Sequence, residues 1–131
     1  MNANKGIRFI RYSIGTVLAL HGLAKLIGGT ATLTYVGGMP PFAPHNSPSA
    51  QLVLGLVAAI FELVGGIGIA TGYFYKVACW AAILLLAGAA SYHLTQVSSF
   101  STLMLNTWPI ELLLVVIGLM IAGTAEKDKS E

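Results

Sequence analysis

Residues 52–73 read LVLGLVAAIFELVGGIGIATGY, with one charged side chain, Glu62, in an otherwise almost wholly apolar run. A helix rises ~1.5 Å per residue, so a run of this length matches a hydrocarbon core ~30 Å thick. Inside that core every backbone N–H and C=O must be satisfied within the segment, which makes an α-helix the expected conformation. Residues 7–28, 77–94 and 105–125 have the same character. The chain of 131 residues is 56% hydrophobic and only 9% charged, with mean hydropathy +0.78. A soluble domain carries about 25% charged residues. The expectation is an all-α integral membrane protein: a single domain over residues 1–131, folded as a four-helix bundle.

Orientation follows from the basic residues. Lys5, Arg8 and Arg11 open the first run, Lys76 lies between the second and third, and Lys127 and Lys129 follow the fourth. The connections 29–51 and 95–104 contain no Lys or Arg. Both termini are therefore expected on the cytoplasmic side, with a long external loop between helices 1 and 2. That loop is rich in Gly and Pro, and Tyr35, Met39 and Phe42 within it favour an ordered cap over the bundle. The basic start followed by an apolar stretch is reminiscent of a signal peptide, but the run continues past Lys25 and no convincing small-x-small cleavage site follows the short hydrophobic middle; it reads as an uncleaved first helix. A single cysteine, Cys79, excludes paired-thiol redox chemistry. Nothing in the charge pattern suggests nucleic acid. Glycine and alanine at small-xxx-small spacing, as in Gly55, Ala59 and Gly66, suit close helix packing and permit homo-association.

The ionisable residues inside the apolar runs carry the functional information, because such residues are costly in a membrane and normally face a bundle interior or a wet cavity. Counting along each helix places His21 ~21 Å and Lys25 ~27 Å above the inner edge, Glu62 ~15 Å and Glu111 ~8 Å below the outer edge. His93 ends helix 3 near the same outer layer. His21 and Lys25 share a helix face, with Arg11 a few turns below. Glu111, with Glu62, is the expected counter-charge for Lys25. Plainer readings stand beside these. Lys25 can snorkel to the interface. Glu111 lies in the first turn of its helix, where a carboxylate suits the dipole and Asn106 or Thr107 can cap. His93 can be an interfacial histidine. Glu62, flanked by Phe61 and Leu63, most needs a partner or a proton.

An arginine opening helix 1, HGLAKL at residues 21–26, ELVGGIGIATG at 62–72, AGAASYHL at 87–94, and Asn106 ahead of PIELLLVVIGLMIAG at 109–123 resemble the DoxX family of small four-helix bacterial membrane proteins. The resemblance runs over residues 7–125. It implies a bacterial inner-membrane location and a redox or quinone-linked role, since relatives include the DoxD-type membrane subunit of thiosulfate:quinone oxidoreductase. The residues carried over are Arg11, His21, Lys25, Glu62, His93, Asn106 and Glu111.

Three functions compete. In the first, the protein is a quinone-interacting membrane subunit of an oxidoreductase. His21, Lys25, Glu62 and Glu111 are its catalytic candidates, and His21, Lys25, His93, Arg11 and Asn106 its ligand-binding ones. The chain has no electron carrier, so electrons come from a protein partner or an external donor. In the second, it is a non-catalytic assembly or accessory protein for a membrane or redox complex. In the third, the least favoured, His21 and His93 ligate a b-type haem. No metal site is expected.

Overall fold

The structure is a computed structural model that describes residues 3–128, with side chains over residues 5–123. The side chains of Lys127 and Lys129, which enter the orientation count, lie outside the described residues. Among the described residues there are six helices and no strand: α1 (Ala3–Ile27), α2 (Gly29–Gly38), α3 (Pro48–Thr71), α4 (Tyr75–Thr95), α5 (Phe100–Asn106) and α6 (Trp108–Asp128). By length and composition α3 and α4 each qualify as membrane-crossing helices. The bent pairs α1–α2 and α5–α6 raise the number to four if each pair is one span.

α1 and α3 run antiparallel at backbone contact. A Cβ at Gly15 would lie 2.5 Å from the Ala70 nitrogen and the Gly66 oxygen, and one at Gly22 would lie 2.5 Å from the Leu63 nitrogen. No side chain fits there, so these glycines set how closely the helices approach.

The connection 29–51, expected as a loop, is helical over its first part. Gly29 has φ +71°, a left-handed conformation open to glycine, and there the chain turns 118° from α1 into α2. The α2 sequence GTATLTYVGG is rich in Thr and Gly, poor helix formers in isolation. Tertiary packing overrides that preference. Leu33 and Gly37 are buried against α3, and a side chain at either Gly37 or Gly55 would overlap the backbone of Gln51 or Leu33.

Other boundaries have local causes. α3 starts at Pro48, ahead of the apolar run, because Pro suits a first turn and the Ser47 hydroxyl accepts from the Ala50 N–H. It ends at Gly72, φ +85°. The expected helix over 105–125 divides into α5 and α6 with a 41° bend. Pro109 explains the division: it has no N–H to give, and its ring would clash with the carbonyl one turn earlier in a continuous helix.

The buried core is Leu18, Ile69, Ala78, Cys79, Ala82, Leu86, Val116 and Leu119. The Tyr75 hydroxyl ties α4 to α6 by donating to the Leu119 carbonyl at 2.7 Å. Large apolar residues such as Phe9, Leu20, Phe61, Leu84 and Leu114 point outward. This distribution, with small residues prominent inside and large ones out, suits a chain whose surroundings are as apolar as its side chains.

Gly22→Ala should therefore cost about 1–3 kcal/mol, as overpacking does. Gly118→Ala, where an added Cβ meets nothing within 4 Å, should be near neutral. Thermal midpoints of the two variants in the same detergent check the difference.

Candidate functional site

Between α1, α3, α4 and the start of α6, and under the exit of α2, lies a slot of about 240 Å³. His21 and Lys25 reach it from α1, Ala58 and Glu62 from α3, Leu84, Leu85, Gly88, Ala89 and His93 from α4, and Trp108 from α6. Val36, Met39, Pro40 and Phe42 close it from α2 and the turn that follows. Its walls are mainly apolar, with the ionisable groups gathered among them. Gly88 lines the slot with nothing within 4 Å of where a Cβ would stand.

The central polar contact is an ion pair. Lys25 Nζ donates to Glu62 Oε2 at 2.5 Å, and the two side chains are 21% and 11% exposed. Helical spacing puts His21 and Lys25 on one face of α1, and the antiparallel contact at Gly22 brings that face against Glu62. Each charge answers the other's desolvation. Lys25 is thus paired across the bundle rather than extended alone to an interface.

A second polar contact joins α4 to α5. His93 Nδ1 lies 2.7 Å from Asn106 Oδ1, and Asn106 Nδ2 donates to the Thr102 carbonyl at 2.7 Å. A carbonyl only accepts, so the amide nitrogen must face Thr102 and the amide oxygen must face the imidazole. His93 Nδ1 is then the protonated nitrogen, which leaves Nε2 of the neutral ring as an acceptor. Asn106 is not among the residues lining the slot and acts on it through His93. Trp108 packs against both histidines, with ring centroids 5.6 Å from His21 and 5.3 Å from His93.

Two expected members stand apart. Glu111 does not pair with Lys25: it is exposed on the first turn of α6 and accepts from the Thr107 hydroxyl at 3.0 Å. This is the first-turn arrangement that the helix dipole favours. Arg11 is about 15 Å along α1 from His21, counted at 1.5 Å per residue. Its guanidinium lies over the Tyr12 and Tyr75 rings at 5.7 and 5.8 Å. The slot thus unites His21, Lys25, Glu62 and His93, with Asn106 behind, and leaves out Arg11 and Glu111. Sequence reasoning missed Trp108, although an aromatic just before Pro109, at the start of the last apolar run, was a usable signal. Met39 and Phe42 do cap the slot, as their aromatic and sulfur side chains in an uncharged loop suggested; Tyr35 lies elsewhere.

The DoxX family model matches residues 6–95. The chain belongs to the DoxX family. Searches of curated proteins and of solved structures give no match. The DoxX match spans α1 to α4 and includes Arg11, His21, Lys25, Glu62 and His93. Asn106, Trp108 and Glu111 lie beyond it, so the match is shorter than the resemblance read over 7–125. Family and apolar helices together make this DoxX chain an integral membrane protein.

Two outcomes follow for this DoxX site. Lys25→Met alone leaves Glu62 in the slot without a counter-charge and should cost about 3–5 kcal/mol, whereas the double variant Lys25→Met/Glu62→Leu should recover much of that loss. A double-mutant cycle on thermal unfolding measures the difference. Asn106→Leu should release the His93 tautomer, visible as a redistribution of the Nδ1 and Nε2 nitrogen shifts in ¹⁵N-histidine NMR. Unchanged shifts would mean that Asn106 does not hold the ring.

Proposed function

We propose that α1, α3, α4 and α6 form a four-helix transmembrane bundle in the bacterial inner membrane, with both termini cytoplasmic and α2 and α5 in the outer layer. We further propose that the slot receives the head group of a quinone, the protein being the membrane subunit of an oxidoreductase. The supporting observation is the slot's make-up: apolar walls carrying one Lys–Glu pair and two imidazoles. Ligand pockets are mostly apolar with a few convergent polar groups, at volumes of about 300–1,000 Å³. At about 240 Å³ the slot suits a ring rather than a whole lipid quinone, and the tail would leave between helices.

A bound quinone would accept two electrons and two protons to become the quinol. In this reading His21 and Lys25 donate hydrogen bonds to its carbonyl oxygens, and the His93 Nε2 lone pair accepts and passes a proton. Glu62 holds the Lys25 ammonium in place at the slot. Arg11 and Glu111 have no part in this arrangement. Electrons come from a partner subunit or a donor outside the membrane, because none of these side chains carries them.

A second reading, the accessory or assembly protein, draws on the same ion pair. Lys25 and Glu62 already satisfy one another and clasp α1 to α3 without any ligand. The haem reading has less support, because Trp108 packs against both imidazoles, with ring centroids 5.6 Å from His21 and 5.3 Å from His93.

Mass spectrometry of gently purified protein should find co-purified quinone, reduced roughly tenfold or more in Glu62→Gln, equivalent to 1.4 kcal/mol or more of binding. No quinone in the wild type, with Glu62→Gln lowering the yield of a partner complex but not its turnover, would favour the accessory role.

A further inference from the structure

A second cavity, of about 590 Å³, opens at the end of the molecule where α3 begins and α4 ends. Only Met39 is common to its lining and that of the slot. We infer that this groove is a binding site for a neutral, polyhydroxylated ligand: a sugar or polyol, free or as the head group of a lipid.

The lining chemistry carries the inference. Thr30, Thr34, Tyr35, Gln51 and Tyr92 all contribute hydrogen-bonding groups, and none of the groove's lining residues is charged. Among the described residues, hydroxyls elsewhere in this layer are engaged locally: Thr32 donates to the Gly28 carbonyl, Ser91 to Gly88 and Thr95 to Tyr92. The groove's own groups differ. The Tyr35 and Tyr92 hydroxyls approach only to 3.5 Å, beyond the 2.5–3.0 Å of a good O–H···O bond. The side chains of Thr30, Thr34 and Gln51 make no hydrogen bond among the described residues. Several donors and acceptors therefore converge on one space with their capacity unspent.

This excludes two ligand classes. An anion would find no cation in the lining to meet it, and a hydrocarbon would cover hydroxyls and an amide without pairing them. A neutral ligand with many hydroxyls satisfies both conditions. The two tyrosines add apolar ring faces for its C–H surface.

The test uses the full chain purified in a zwitterionic detergent without sugar. Maltose, glucose and myo-inositol are titrated calorimetrically, then dodecyl maltoside below its micellar concentration, with inorganic phosphate as the anionic control. Binding of a free sugar or polyol with Kd on the order of 1 mM or tighter, weakened at least tenfold by Tyr35→Phe/Tyr92→Phe, supports a soluble ligand. Binding of dodecyl maltoside alone with the same loss supports a glycolipid head group. Thr34→Val, an isosteric change, provides a second variant should the tyrosine pair fold poorly. No binding of any neutral probe, equal binding of phosphate, or affinity unchanged in the variants overturns the assignment. Quinone content is measured on the same samples, so failure here is distinguishable from failure of the slot's proposed role.

Discussion

The close approach of α1, α2 and α3 at glycine underlies the rest of the molecule. In a medium as apolar as the side chains, helices gain little by hiding hydrocarbon from water and associate through packing and polar contacts. Gly15 and Gly22 let α1 reach α3, and Gly37 and Gly55 let α2 reach it too. Such contacts leave almost no freedom in rotation or register. They thereby decide which side chain of α1 meets Glu62, and where Met39 and Phe42 come to rest.

The polar contacts repeat this logic in both halves of the chain. In each, a short helix lies in the connection between two long helices, α2 after α1 and α5 before α6, and a side-chain bridge lies beside it. Lys25 meets Glu62 in one half, and His93 meets Asn106 in the other. Both bridges pair part-buried polar groups with one another, as a low-dielectric interior favours. What they leave unspent is directional: the second nitrogen of His93, and His21 at the edge of the slot.

The long helices and the polar layer were legible in the sequence because apolar run length and the cost of intramembrane charge are both strong signals. His21, Lys25, Glu62 and His93 converge as their depths along the helices suggested. Depth alone could not assign partners. Glu111 has a suitable height but lies on the exposed face of α6, a matter of rotation that a nearly all-apolar helix does not announce. α2 was hidden for a related reason. Its Thr- and Gly-rich sequence resembles a loop until the α3 surface against which it packs is known. The α5–α6 break was in principle readable from Pro109, yet continuous hydrophobicity concealed it.

Gly88 gives the slot an unusual property. At this position the wall is formed by a side chain that is not there, and a Cβ would meet only empty space. The cavity's calibre is therefore set independently of the contacts that hold the helices together, because enlarging this one residue displaces no neighbour at its Cβ. Any larger residue at this position would narrow the slot while leaving the ion pair and the imidazoles as they are.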